Sequence, residues 1–337
     1  MIYDQIRANV QGSQTNQDKL AQQLGTGKNI LVPSDDIMGT VRSMDYQVDI
    51  SSNGQYETNI DNATNNLNQT NTVLTSLSDT LTGISGVLES VYSTGGQQNP
   101  QGEASQASDL RNQLLDYANT KIGNRYIFSG FQTSTQPYAA GTYAYQGDTG
   151  LTNIPTGENT TMAENVPGTN VLSYTQTSPY TTTLSNGDTA TYTNGGLTAS
   201  KEPIINVSIT DADNNPVNNF SFSNAIQLTN MLSTAITNND ATTIEALQYP
   251  LSQIQNQVDT AQSDVGTRLN ALQEQKTSLT NTTTNLQDSL GTIQNTNTAT
   301  LGVEIQQADT ALQALYSTSS QILPMSLFSF LQSSSGG

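Results

Sequence analysis

The chain has 337 residues, of which only 34% are hydrophobic, and its formal net charge is −18. Because it contains neither His nor Cys, it lacks the commonest general base, the thiol nucleophile and most zinc ligand sets. We therefore predict a protein that is not an enzyme and that needs no cofactor. The acid excess also argues against a nucleic acid or an anionic membrane as a partner, since both bind basic surfaces.

The first element is a predicted helix over residues 4–24 with a sparse apolar seam. Gly25 and Gly27 are expected to end it, because glycine tolerates the left-handed conformation found at helix ends. An extended piece follows up to Pro33, since a residue before proline avoids the helical region. The seam residues are Ile6, Val10, Leu20 and Leu24.

The strongest pattern in the chain is a pair of long apolar heptad repeats. Ser34-Asp35-Asp36 predicts the N-cap of a helix that runs, with breaks, to Val91. In this helix, apolar residues alternate at intervals of three and four positions, so they form a seam along one helix face that another helix must cover. A second segment far downstream has the same spacing. The two patterns comprise Ile60, Ala63, Leu67, Thr70, Leu74, Leu77, Leu81, Ile84, Leu88 and Val91, and then Leu251, Val258, Val265, Leu272, Leu279, Leu286 and Ile293.

The middle of the chain changes from helical to β-type patterns. A second helix is predicted over 103–122 and an aromatic, β-branched strand over 125–130. From about 132 to 223, Thr, Tyr, Asn, Gly and Pro dominate in short alternating pieces, and Asn186-Gly187 predicts a hairpin turn. One further helix is expected over 224–237.

Helix returns from about 241 to 322. The seam slips by one residue after Ile293, between Gly291 and Gly302, which predicts a joint at this place. Pro324 is expected to end the last helix. The seam continues past the joint through Leu301, Ile305, Leu312, Leu315 and Ile322.

These elements predict an elongated, mostly α fold with a β-rich insert. No run approaches the roughly 20 apolar residues that span a bilayer. The first residues show no basic region followed by an apolar one, so we do not expect a cleaved signal peptide.

Two apparent ligand motifs fail on spacing. Gly25-Thr26-Gly27-Lys28 is not a phosphate-binding loop, because Gln22 and Asn29 stand where that motif needs Gly and Ser or Thr. Residues 211–222 open like a calcium loop, but Pro216 and Phe222 occupy the positions of the turn glycine and the bidentate Glu. A polar hairpin turn explains the second motif better, and helix capping explains the adjacent carboxylates of Asp35 and Asp36.

The outer segments, roughly 1–40 and 295–337, have seams but few local partners beyond each other. Ordering a residue costs about 1–2 kcal/mol, and each fully buried Leu or Ile returns about 1.5–3 kcal/mol. A lone pair of such helices is therefore near zero net stability. We predict that they become ordered against neighbouring molecules in an assembly, through Ile6, Val10, Leu20, Leu24, Leu301, Ile305, Leu312, Leu315 and Ile322.

Three stretches resemble the flagellin superfamily. They are Gln22-Gln23-Leu24-Gly25-Thr26-Gly27-Lys28-Asn29-Ile30-Leu31-Val32-Pro33-Ser34-Asp35-Asp36, Arg125-Tyr126-Ile127-Phe128-Ser129-Gly130, and Ser326-Leu327-Phe328 with Phe330-Leu331. The Pro-Ser-Asp-Asp ending and the C-terminal residues are more similar to the hook–filament junction proteins than to flagellin itself. The resemblance covers roughly 1–131 and 240–331.

This resemblance implies three domains. Terminal coiled-coil helices, 1–40 with 295–337, would form an inner domain, 41–131 with 240–294 a helical rod domain that carries a short β-hairpin, and residues 132–239 an outer β domain.

The resemblance also implies a structural component of the bacterial flagellum, located outside the cell at the hook–filament junction. Copies would form a ring between the hook-side junction protein and the first flagellin subunits, after export through the flagellar type III channel without a cleaved signal. An export chaperone would hold the C-terminal segment, with Leu312, Leu315, Ile322, Leu327 and Phe328 as the expected contacts.

Two alternatives remain open at this point. The first is a divergent flagellin that forms the filament itself. The second is a surface adhesin or glycan-binding module in the β insert, where Tyr138, Tyr143, Tyr145, Tyr174, Tyr180 and Tyr192 would offer stacking faces.

Overall fold

A computed structural model describes residues 2–93 and 99–334, with side chains at 4–93 and 99–320. The protein is mostly helical and has a sheet-containing insert, as the sequence predicts. The helices are α1 (Ile2–Thr26), α2 (Ile37–Ser93), α3 (Pro100–Ala118), α4 (Ala225–Thr237), α5 (Ala241–Ala246), α6 (Gln248–Gln294) and α7 (Thr298–Ser334). The strands are β1 (Lys121–Ile122), β2 (Arg125–Tyr126), β3 (Asn153–Gly157), β4 (Thr160–Ala163), β5 (Tyr180–Thr183), β6 (Thr189–Leu197), β7 (Pro203–Thr210) and β8 (Pro216–Phe222).

The chain divides into two compact units. One comprises Met1–Gly54 and Leu279–Gly337, and the other Gln55–Ser278. The boundaries between them fall inside α2 and α6. The three-domain division predicted from the sequence, with limits at 40/41, 131/132, 239/240 and 294/295, stays a prediction, although α1 is separated from α2, and α6 from α7, close to the first and last of these limits.

In the larger unit, α2 and α6 lie antiparallel. The side-chain amide of Gln255 donates to the carbonyl of Leu81 over 3.3 Å, and Lys276 pairs with Asp61 at 2.5 Å. Every heptad position of α2 from Ile60 to Val91 is buried, as are those of α6 from Leu251 to Leu272. The heptad prediction is confirmed here, because residues spaced 3 and 4 apart face the same neighbour along a helix. Each buried Leu or Ile contributes about 1.5–3 kcal/mol.

Helix α3 packs against α2 at Gly83 of α2. A Cβ placed on Gly83 would lie 3.2 Å from Cδ2 of Leu110, so the missing side chain allows the close approach. On its other side α3 meets α4 through polar groups: the Arg111 guanidinium donates to Oδ1 of Asn230 over 2.7 Å, and the Ser108 and Ser233 hydroxyls are 2.8 Å apart. The N-cap of α3 is Asn99, whose side chain accepts from the Gly102 amide.

Between α3 and α4 the chain forms two hairpins and one sheet, of which all but the first hairpin belong to the insert. β1 pairs with β2, β3 pairs with β4, and β5 to β8 form a four-stranded antiparallel sheet in chain order. The turn at Asn186-Gly187 is confirmed, with Gly187 in the left-handed region at φ 92°. Helix α4 is also confirmed, and Asn224 caps it by accepting from the amides of Ile226 and Gln227.

Several boundaries differ from the sequence prediction. Helix α3 ends at Ala118 rather than at 122, because residues 121–126 pair as a hairpin around Gly123 at φ 60°. The strand predicted over 125–130 is short for the same reason. Helix α2 has no break, and the backbone of α7 continues past Pro324 to Ser334.

The insert is attached to α2 and α6 by side-chain amides and one guanidinium. Asn59 donates to the carbonyl of Pro155 over 2.9 Å, and Asn66 donates to the Glu164 carboxylate over 3.0 Å. Arg268 on α6 donates to the carbonyl of Asn165 over 3.0 Å. These polar positions flank the apolar seams, which leaves the seams free for the helix pair.

Candidate assembly interface

The terminal helices α1 and α7 pack against each other within the smaller unit. Leu20, Leu301 and Ala308 form a small buried cluster, with Ile305 partly buried against it. The cluster contains few large side chains. Most stability of a helix in a protein comes from packing of its apolar face. Among the described side chains of α1 and α7, that packing is limited to this small buried cluster and the half-buried residues around it.

Polar contacts extend the pairing beyond that cluster. The side chain of Gln14 donates to the Tyr316 hydroxyl over 2.6 Å, and that of Gln17 donates to the Asp309 carboxylate. These contacts show that α1 and α7 are antiparallel. Gln14 and Gln17 were missed by sequence reasoning, which searched for apolar residues; Gln17 lies three residues before Leu20 on the same helix face.

The loop that follows α1 contacts the break between α6 and α7. Gly27 ends α1 at φ 68°, and its amide donates to the carbonyl of Gln23. The Asn29 amide donates to the carbonyl of Gln294 over 2.6 Å, and the Thr296 amide to the carbonyl of Gly27 over 3.0 Å. The predicted joint between Gly291 and Gly302 is thus located at the 295–297 break between α6 and α7, where the backbone bonds to the end of α1.

Asp35 and Asp36 have separate structural roles. Asp36 caps α2, with Oδ1 accepting from the Gly39 amide over 2.8 Å. Asp35 instead closes the preceding loop: Oδ2 accepts from the amides at 31 and 32, and Oδ1 lies 2.7 Å from Nζ of Lys19 on α1. The Lys19 ammonium, together with these amides, holds the pKa of the Asp35 carboxyl below its usual value.

The predicted interface residues occupy different environments. Leu20 and Leu301 are buried inside the chain's own helix pair, and Ile305 is half-buried. Leu24 is 46% exposed. The buried residue at this end of α1 is its neighbour Gln23, whose side-chain amide donates to the carbonyl of Asn29. The remaining positions with described side chains are half-buried: Ile6, Val10, Leu312 and Leu315. The side chains of Ile322, Leu327 and Phe328 lie outside the described residues.

The insert contains a buried carboxylate. Glu202 is 1% exposed, and its Oε1 accepts from the Ser173 hydroxyl over 3.1 Å and from the Asn224 side-chain amide over 3.0 Å. In the described part of the chain, none of the salt bridges involves it. Burial raises the pKa of Glu202 to about 7, and these hydrogen bonds offset only part of that effect.

The segment beginning at Asp211, which resembles the start of a calcium loop, forms a polar turn. Oδ1 of Asp211 accepts from the amides of Asp213 and Asn215, and Asn214 adopts φ 62°. Across residues 2–93 and 99–334 no group of three or more His, Cys, Asp or Glu side chains is arranged to hold a metal ion. None of the described helices is long and apolar enough to cross a membrane.

The stacking faces proposed for the glycan-binding alternative are mostly covered. Tyr138, Tyr145, Tyr174 and Tyr192 are buried. Tyr180 is partly exposed, but its ring stacks on Tyr249 at a centroid distance of 4.1 Å. These rings contribute packing to the insert rather than an open aromatic surface.

The N-terminal part of the chain matches a known family. Residues 1–133 match the model of the bacterial flagellin N-terminal helical region. Flagellar hook-associated protein 3 of Escherichia coli K12 is 34% identical to this chain over 152 residues, which are 44% of this chain and 47% of that protein. The chain therefore spans about half the length of the curated relatives it matches.

Solved structures extend the similarity to the fold of most of the chain. Flagellar hook-associated protein 3 of Legionella pneumophila aligns with a TM-score of 0.56 at 19% identity, covering 74% of this chain and 98% of that one. The flagellar junction protein FlgL of the same organism aligns with a TM-score of 0.53 at 16% identity, covering 77% and 100%.

The chain therefore has the fold seen in solved flagellar hook-associated proteins, and its residues 1–133 match a flagellin-type helical region. The relatives that it matches over part of its length, and the solved structures that share its fold, carry the names flagellar hook-associated protein 3 or FlgL. The resemblance predicted from residues 22–36 and 125–130 is confirmed.

Proposed function

We propose that this protein joins the hook of the bacterial flagellum to its filament, as a structural part that makes and breaks no bond. The observation that carries this proposal is the 34% identity over 152 residues to a flagellar hook-associated protein, together with the flagellin-type region at 1–133. The partners would be further copies in a ring, the hook-side junction protein and flagellin, and the site lies outside the cell.

The pairing of α1 with α7 supports a role in assembly. Its buried cluster is small, and the rest of the contact uses polar pairs such as Gln17 with Asp309. Hydrogen bonds between side chains contribute only about 0.5–1.5 kcal/mol each. Neighbouring molecules would supply the missing packing through the half-buried Ile6, Val10, Leu312 and Leu315, and the break at 295–297 would accommodate the mismatch between hook and filament.

Immunogold labelling of intact cells tests the location. A single band at the base of the filament is expected, and label along the whole filament would instead indicate a divergent flagellin. Abundance separates the same two roles, because a junction protein is a trace component of sheared flagella. Deleting 1–30 or 300–337 should abolish filament growth while residues 55–278 remain folded; normal motility of either deletion strain would exclude the proposal.

Export through the flagellar channel would require a chaperone for the C-terminal segment. We assign Leu312 and Leu315 to that contact, since both are apolar and only half-buried on α7. Replacing both with Asp should abolish capture by the chaperone. The matched control replaces Val303 and Thr310, two exposed residues of the same helix, with Asp. Equal capture of the two double variants would refute the assignment.

A further inference from the structure

The helices α2 and α6 each contain a stretch in which no side chain is buried. In α2 this stretch lies between Ser43 and Ile60, and in α6 it lies between Leu279 and the end of the helix at Gln294. The seam residues of α2 that follow Ile60 are almost fully buried. Since most stability of a helix in a protein comes from its packed apolar face, both helices have their lowest local stability over these stretches.

The seam of α2 becomes polar inside its stretch. Asn53 stands seven residues before Ile60, at the same heptad position, and its side-chain amide donates to the Thr283 hydroxyl of α6 over 3.2 Å. A hydrogen bond between neutral side chains contributes about 0.5–1.5 kcal/mol, whereas a fully buried Leu or Ile contributes about 1.5–3 kcal/mol. The contact at Asn53 therefore stabilises the pairing of the two helices less than the apolar contacts that follow Ile60.

The backbone of α2 is easily bent beside this contact. The residues Ser51-Ser52-Asn53-Gly54 place glycine close to serine, one of the few combinations at which helices kink. Glycine also costs the interior of a helix about 1 kcal/mol relative to alanine. The sequence of α2 thus favours bending next to the place where its seam is polar.

The segment of α6 around Thr283 has the same tendency. Residues 280–284 are threonines and one asparagine, which are poor helix formers. The hydroxyl of Thr284 donates to the carbonyl of Thr280 over 2.9 Å, and such a bond back to the preceding turn often bends a helix. Both helices therefore carry residues that favour bending on either side of the bond between Asn53 and Thr283.

We propose that α2 and α6 bend together at Asn53 and Thr283, which form a hinge built into the two helices. The division of the chain into two compact units falls beside these residues, after Gly54 in α2 and before Leu279 in α6. The hinge is distinct from the break at 295–297, because both helices continue through it and a helix bends by lengthening hydrogen bonds on one side. The hinge goes beyond the proposed function and does not depend on it.

Pairs of spin labels test the hinge, because the chain has no Cys of its own. The pair Gln47→Cys with Asn65→Cys spans the hinge along α2, and the pair Asn68→Cys with Gly86→Cys spans the packed part of the same helix; all four positions are exposed. In each pair the residues are five helical turns apart, about 27 Å. Double electron–electron resonance on the full-length protein should give a distance distribution at least about twice as wide for 47–65 as for 68–86.

A stiffened variant provides the second measurement. Asn53→Leu and Thr283→Leu replace the polar pair with apolar side chains, and Gly54→Ala removes the glycine. In this triple variant the 47–65 distribution should narrow to the width of the 68–86 distribution, and hydrogen exchange of amides 51–57 should slow by at least about tenfold. Better packing of helices that do not bend would slow exchange without changing the width.

Two results would overturn the proposal. The first is a 47–65 distribution as narrow as that of 68–86 in the otherwise unaltered protein. The second is a triple variant that folds and keeps a wide 47–65 distribution. If the triple variant does not fold, the comparison of the two label pairs decides alone. None of these measurements requires the protein to be located in the flagellum, so they are independent of the proposed function.

Discussion

Replacing Glu202 with Gln should stabilise the β-rich insert at neutral and alkaline pH. The carboxylate is buried, none of the salt bridges among the described residues involves it, and the hydrogen bonds from Ser173 and Asn224 both end on Oε1. The amide oxygen of Gln can accept the same two bonds. The substitution therefore removes the cost of burying a charge and leaves the bonds from Ser173 and Asn224 in place. The backbone amide of Tyr145 also favours the carboxylate, but its contribution is the smallest of the three hydrogen bonds.

The magnitude follows from the pKa of Glu202, which burial raises from 4.5 to about 7. At 1.36 kcal/mol per unit, this difference corresponds to about 3 kcal/mol. Because the pKa is higher in the folded state, the folded state binds the proton more tightly. The stabilisation that protonated Glu202 gives to the folded state is therefore complete below about pH 4.5 and is lost as the pH rises through 7.

Urea unfolding at pH 5, 6, 7 and 8, followed by tyrosine circular dichroism in the near ultraviolet, measures this effect. Between pH 5 and pH 8 the unaltered protein should lose about 2.5 kcal/mol of unfolding free energy, whereas Glu202→Gln should show little loss over the same range. Glu158→Gln, at an exposed position of the same insert, is the matched control and should behave as the unaltered protein does. If Glu202→Gln and the unaltered protein show the same pH slope, the burial argument is refuted.

Three further predictions concern the helices. Gly83→Val should destabilise the α2–α3 contact by about 1–3 kcal/mol, because the valine side chain would crowd Leu110. The control is Gly86→Ala, where an added Cβ would have no neighbour within 4 Å; it should be neutral or stabilise the protein by up to about 1 kcal/mol. Thermal unfolding measures both variants. Asp36→Ala should cost about 0.5–2 kcal/mol through loss of the α2 cap, measured by hydrogen exchange of amides 37–40; unchanged exchange would contradict the capping role. Leu74→Ala should cost about 2–5 kcal/mol in urea unfolding, and a loss under 1 kcal/mol would show that the heptad seam is not closely packed there.

The seams of α2 and α6 show what local pattern can predict. Residues spaced 3 and 4 apart fall on one helix face whatever the partner is, so Leu67, Leu74 and Val258 were assigned to the buried face before any partner was known. The turn at Asn186-Gly187 was equally predictable, because few residues adopt its backbone conformation.

The terminal helices show where the same reasoning failed. Leu24 was assigned to the seam for its apolar side chain, yet Gln23 is the buried residue. Gln23 finds an acceptor in the backbone that follows Gly27, and Gln17 finds one on α7. Whether a polar side chain can be buried depends on the acceptor that the fold brings to it. For Gln23 this is a carbonyl six residues further along, brought back by the turn at Gly27, and for Gln17 it is a carboxylate on α7.

By itself, the sequence determined which segments are helical or β-rich, which faces of the long helices are apolar, and the resemblance to flagellin-type chains, because each of these depends on residues close together in the chain. Only the tertiary structure decided that Glu202 is buried with no salt bridge among the described residues, and that the apolar side chains on one face of α2 between Ile37 and Val48 are exposed. Both depend on which surfaces the fold brings together, and burial is a property of that arrangement rather than of the residue.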